Sequence, residues 1–148
     1  MRKPRNQQGF SIMELMVTVA IVAILTTLAV PAYSNFVARS VRTQAKSTLM
    51  LVADRQEHFF LDNKAYAADL TNLGFKSNPM YVDRNGTQVP ATSGDRIYKI
   101  LLANLTATTF TVQAVPLQHQ ASADTACGTL SLTHAGQRGK SGAGSNCW

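Results

Sequence analysis

From Leu15 to Ala38 the chain has no Asp, Glu, Lys or Arg. As a helix these 24 residues would extend about 36 Å, enough to cross a bilayer core of roughly 30 Å. That absence of charge excludes a solvent-facing element of a small globular domain. The apolar surface must be covered by a membrane or by other protein. Cysteine is almost absent as well. The two present, Cys127 and Cys147, lack the Cys-x-x-Cys spacing of a dithiol redox centre. His58, His119 and His134 show no ligand spacing with one another or with the cysteines, so no metal site is read. Gly139-Lys140-Ser141 ends like a phosphate-binding loop, but His134 stands where the earlier glycine is required, and the strand-loop-helix context is missing. No Ser/His/Asp arrangement stands in a recognisable context. The expectation is a protein without cofactor, metal or enzymatic activity.

What is present begins with charge. The chain has 148 residues, one domain by length, with 14 Lys+Arg against 8 Asp+Glu. Three of the basic residues, Arg2, Lys3 and Arg5, fall in the first nine positions. Without that stretch the balance is 11 (14 − 3) to 8. The sequence pI of 9.7 therefore overstates any general affinity for nucleic acid. The N-terminal cations predict a cytoplasmic N-terminus and an exported remainder. An ordinary secretory signal is cut after its apolar stretch. A cut after Gly9 would instead leave the apolar stretch on the mature chain. At its head stands Glu14, whose carboxylate costs about 2.5–3.5 kcal/mol in a membrane on insertion scales and so requires a partner.

The run Gly9-Phe10-Ser11-Ile12-Met13-Glu14-Leu15, followed by the apolar segment and Pro31-Ala32-Tyr33, resembles the class III leader and N-terminal helix of type IV pilins. The resemblance implies cleavage after Gly9 by a prepilin peptidase and N-methylation of Phe10. It implies a single-pass inner-membrane protein that later enters an extracellular pilus filament or its periplasmic base. Its partners would be other pilin subunits, the peptidase and the inner-membrane assembly machinery. Glu14 would lie one turn from the new amine of Phe10, where the helix dipole favours a negative charge. An amine from a neighbouring subunit would neutralise it and set the axial register of assembly. Pro31 should kink the helix, with Thr26 and Thr27 lowering helix propensity just before it. Type IV pilins commonly carry a glycine in this half, and none stands here between Phe10 and Pro31.

After Tyr33 the pattern changes. Val37, Val41, Ala45, Leu49 and Val52 recur at three- or four-residue spacing, with Arg39, Arg42, Lys46, Asp54 and Glu57 between them. This predicts an amphipathic helix reaching about Leu61, one face against a sheet, with Phe59 and Phe60 in the core. A helical turn is expected over Tyr66–Leu70, with Gly74 as its C-cap. Strands are expected over Met80–Asp83 and Ile97–Ala103, and where Phe110, Val112 and Ala114, then Leu130 and Leu132, alternate with polar residues. The expected fold class is α+β: a long N-terminal helix with a free apolar half, packed on a small antiparallel sheet, the type IV pilin fold. The expected parts are a leader (1–9), a transmembrane and assembly helix (10–38) and an exported head (39–148).

An even cysteine pair in an exported chain suggests a disulfide. Closing the 19 residues between Cys127 and Cys147 would contribute about 3 kcal/mol in the chain-entropy model. The loop 127–147 is Gly-rich and would otherwise be slack. A bounded loop of this kind also resembles PilE-like pilins, minor ones included, as does Arg55-Gln56-Glu57 before Phe59-Phe60. A type II secretion pseudopilin is the alternative within this class. Some of those hold calcium near the C-terminus, but no Asp or Glu follows Asp124. A second alternative is a DNA-binding pilin of a competence system. It would present Lys76, Arg84, Arg96, Lys99, Arg138 and Lys140 to an anionic ligand, Arg138 and Lys140 being the favoured contacts.

Overall fold

The computed structural model describes residues 10–148. The expected cleavage position Gly9 and the basic residues Arg2, Lys3 and Arg5 lie outside the described residues. Helix α1 runs Ile12–Asn63, two residues past the expected end, and Pro31 does not interrupt it. The chain divides into two units, one up to Ser34 and the other Asn35–Trp148.

The described residues of the first unit are almost all helix, and those whose burial is described are exposed. Its threonines turn their hydroxyls back onto the helix: Thr18 Oγ1 donates to Leu15 O (2.8 Å), Thr27 Oγ1 to Ile24 O (2.7 Å), and Thr26 Oγ1 to Val22 O. These hydroxyls therefore need no partner from an apolar surrounding.

The second unit contains the core. Val41, Ala45, Leu49 and Val52 are buried along one face of α1, as the spacing predicted; Ala38 is buried in place of Val37, which stands at the margin. The predicted core stops short of Phe59 and Phe60, which are only half-buried. Gln56 closes the buried stripe instead. Its amide donates to Ala67 O (3.0 Å) and accepts from Ala67 N (2.8 Å), so a fully buried polar side chain has its needs met by backbone. Phe60 stacks on Tyr66, ring centres 4.8 Å apart. Lys64, at φ 57°, takes the chain off the helix.

Between helix and sheet lies a short 3-10 turn, Leu70–Leu73, capped at its start by Asp69, whose side chain accepts from Thr71 N. Gly74 ends it at φ 80°, a left-handed conformation that favours glycine.

Six antiparallel strands follow: β1 (Met80–Val82), β2 (Gln88–Val89), β3 (Tyr98–Ala103), β4 (Thr111–Pro116), β5 (Leu130–Thr133) and β6 (Arg138–Lys140). Their order is β2-β1-β3-β4-β5-β6. Helix α2 (Gln118–Ala123) links β4 to β5. The register aligns Met80, Ile100, Ala114 and Leu130 across the sheet. All four are buried, on the face that meets α1.

Cys127 and Cys147 form a disulfide, Cα atoms 5.4 Å apart. The glycines inside its loop are not slack. Gly142 N donates to Cys127 O (3.0 Å) and Gly144 N to Ala126 O (2.6 Å). A Cβ on Gly142 would overlap the carbonyls of Ala126 and Thr125, backbone that cannot yield. Glycine stands there because two backbones touch.

Candidate functional site

Two regions concentrate the chemistry. The first is the start of α1. Its first turn closes through Leu15 N to Ser11 O (3.1 Å), and Glu14 lies within that turn. The helix N-terminus carries unpaired N–H groups and a partial positive charge, so a carboxylate is favoured there. Beyond it the helix is apolar on every side. Phe10 is 83% exposed and Ile12 80%, and Leu15, Val19, Val22 and Leu28 are each more than half exposed. A helix that is hydrophobic all round is one that something else covers. Within the described residues this is the one helix long and apolar enough to cross a membrane.

The second region lies where β6 meets α1. Arg138 pairs with Leu132 and Lys140 with Leu130, which puts both cations on the α1 side of the sheet, at its edge. Both are exposed. The Arg138 guanidinium stands 5.5 Å from the centre of the Trp148 ring. The indole N–H of Trp148 donates to Gly139 O (2.8 Å), and Lys140 Nζ donates to Gly142 O (3.1 Å). Lys46, half-buried on α1, joins them. Burial lowers its pKa first, and Arg42 and Arg138 lower it further, partly offset by Asp124. An anion placed between Lys46 and Arg138 would relieve the part of this lowering that comes from like charge.

Arg42 lies beneath this surface. The sequence pattern placed it among the solvent-side charges, yet it is buried. Its Nε and Nη2 donate to the two carboxylate oxygens of Asp124 at 2.7 and 2.8 Å, and Nη1 to Asn146 O at 2.8 Å. The fork thus grips α1, the end of α2 and the disulfide loop together. Gln120 completes the cluster, its Nε2 lying 3.0 Å from Ala38 O and 3.1 Å from the Tyr98 hydroxyl. Burial pushes the Tyr98 phenol up to about 12.

The other predicted cations stand apart from Arg138 and Lys140. Lys99 is on the opposite face of the sheet, paired with Tyr81 and Val115. Arg84 and Lys76 line separate clefts, near the β1–β2 turn and β2 respectively. Arg96 is folded back, its Nε donating to Ser93 O (2.8 Å) and its guanidinium 5.6 Å from the Tyr81 ring centre. Sequence reasoning missed Arg42, Lys46 and Trp148. One signal was available: Arg39, Arg42 and Lys46 follow one another with no acid before Asp54. Among the described residues no three His, Cys, Asp or Glu side chains are grouped to hold a metal.

Residues 31–131 match the family model described as "Type IV minor pilin ComP, DNA uptake sequence receptor", and residues 4–30 match the "Prokaryotic N-terminal methylation motif". The chain is 38% identical to the type IV major pilin protein PilA of Myxococcus xanthus over 92 residues, 62% of this chain and 40% of PilA. It is 34% identical to the type IV major pilin protein PilE of Neisseria gonorrhoeae over 76 residues, 49% of this chain and 43% of PilE. The chain thus spans less than half the length of both relatives. A solved type IV pilin from Shewanella oneidensis superposes with a TM-score of 0.50 at 26% identity, covering 75% of this chain and 97% of that one. An exposed apolar helix, a small antiparallel sheet packed on its second half, and a family match over most of the chain agree: the protein belongs to the type IV pilin family.

Proposed function

We propose that this chain is a type IV pilus subunit, held in the inner membrane by residues 10–38 until it polymerises through them. The observation that carries this reading is the segment from Phe10 onward: apolar on every side, exposed, with Glu14 as the one charge before Arg39. A prepilin peptidase would cut after Gly9 and methylate Phe10, and inner-membrane machinery would draw the subunit into the filament. Major and minor type IV pilins both occur among the matches, and either role fits this helix. Mass spectrometry of filaments sheared from the native host is the test. The expected result is a chain beginning at N-methylated Phe10, two hydrogens lighter than the dithiol. Filaments that lack the chain, or that hold it with residues 1–9 attached, would overturn the reading.

A second reading is DNA uptake. It is favoured by the description of the matching family model together with Arg138 and Lys140, exposed at the β6 edge, and Lys46, which Arg138 crowds. Phosphates would relieve that crowding and displace counterions, so the affinity of the head for duplex DNA should fall steeply with salt, with a log–log slope of about −0.9 per phosphate. Replacing Arg138 and Lys140 by Gln should make that slope shallower by about two units. A head that shows no salt-sensitive binding at low ionic strength dismisses this reading and leaves the first intact.

A further inference from the structure

Strand β6 stands last in the sheet order, so one of its edges pairs with no strand. Arg138 and Lys140 lie on its α1 side, two residues and so about 6.4–6.8 Å apart along the strand. Gly139 separates them. Its carbonyl accepts the indole N–H of Trp148 at 2.8 Å. The ring is thereby anchored at the residue between the two cations. Cations on an edge strand blunt it against pairing with another strand. A tryptophan anchored among them does nothing for that purpose.

Trp148 is half-buried and packs in part on the core. Beside its ring stands the exposed Arg138, the guanidinium 5.5 Å from the ring centre. Among the described residues no carboxylate lies within 4 Å of that guanidinium. No Asp or Glu follows Asp124 in the sequence, and Asp124 is itself held by Arg42 at 2.7 and 2.8 Å. Arg138 therefore rests on the ring through a cation–π contact. At an exposed site that contact is weaker than the stacking of a nucleobase on an aromatic side chain. A nucleic-acid strand offers the same groups a better arrangement: the guanidinium turns to a phosphate, and a base takes the ring.

We infer that Trp148 is a stacking platform for an unpaired base, so that the β6 edge takes single-stranded DNA in preference to duplex. Arg138 and Lys140 hold the backbone, and Trp148 holds one base by its face. Such a contact reads no sequence, because every base has a π-face. In a duplex the bases are paired and stacked on their neighbours, and taking one out carries an energetic cost. Only the phosphate contacts remain there. The inference rests on the DNA-uptake reading above and names the form of strand that site takes.

The test uses full-length chain in a neutral detergent at low ionic strength. The probes are an oligothymidylate strand, an abasic strand of the same length, and a duplex of that length. Trp148 is the only tryptophan, so tryptophan fluorescence reports this ring alone. The oligothymidylate should quench it and bind on the order of tenfold more tightly than the abasic strand, which leaves the fluorescence unchanged. Trp148→Leu should bring the ratio of those two affinities close to one. Trp148→Phe keeps a ring without the N–H for Gly139 O and should retain part of the ratio. A loosened β6 would weaken both strands alike and leave the ratio in place. Salt-sensitive binding without quenching, equal quenching by strand and duplex, or a ratio that survives Trp148→Leu overturns the stacking role alone. Absence of salt-sensitive binding to all the probes overturns the DNA-uptake reading and this inference with it.

Discussion

Changing Arg42 to Met is expected to lower the stability of the unit Asn35–Trp148 by roughly 3–5 kcal/mol, the usual cost of breaking a buried ion pair from one side. At about 4–8 °C per kcal/mol for a domain of this size, the melting midpoint should fall by at least ~12 °C. The reason lies in what the fork leaves behind. Asp124 is 3% exposed and would keep only the long contact from Gln120 Nε2 at 3.3 Å. Asn146 O would lose its donor beside Cys147, loosening the disulfide loop from α1. The double variant Arg42→Met, Asp124→Asn should recover much of the loss, because removing both charges also removes their desolvation cost. Urea unfolding of a fragment from Asn35, which retains every residue of the hydrophobic core, measures both. A loss below about 1 kcal/mol in the single variant would mean that water reaches Asp124 in solution, as at a surface ion pair.

Arg42 also shows where the sequence stopped being legible. The apolar spacing of Val41, Ala45, Leu49 and Val52 identified the buried face of α1, because a 3.6-residue period has one geometric meaning. The alternation around Val112, Ala114, Leu130 and Leu132 identified β4 and β5 for the same reason. A buried cation leaves no such mark. Arg42 is one residue beyond Val41 on the edge of the stripe, and only its partner Asp124, 82 positions later, decides that it turns inward. Gln56 is the same case, its partner being the backbone of Ala67. It occupied the place the pattern gave to Phe59 and Phe60. Strand β6 was illegible because Arg138-Gly139-Lys140 has no β propensity. It pairs because the disulfide and the backbone of the Gly-rich loop bring it against β5. Of the anionic-ligand candidates, Arg138 and Lys140 could be named from sequence, whereas Lys46 and Trp148 join them only through the fold.

Glu14→Ala is expected to leave the chain cut, methylated and inserted, yet absent from filaments. The sign of the effect on insertion separates this from simple failure. Removing a carboxylate from a membrane-length helix makes insertion easier by about 2.5–3.5 kcal/mol, so the membrane pool should hold or rise. Assembly moves the other way. Cleavage at Gly9 would give Phe10 a free amine one helical turn from Glu14, and in a packed bundle of apolar helices that amine would be the counterion for the carboxylate of a neighbouring copy. Losing one member of a buried pair costs about 3–5 kcal/mol, at least two orders of magnitude in an equilibrium constant. Glu14→Gln sharpens the result. It keeps the length of the side chain and its capacity to hydrogen-bond, and removes only the charge. If charge pairing sets the register, Glu14→Gln should fail to assemble as Glu14→Ala does. If a hydrogen bond suffices, it should assemble. Immunoblots of membrane and sheared-filament fractions read both quantities at once, and normal incorporation of Glu14→Ala would leave the lone charge at the head of this helix without its assembly role.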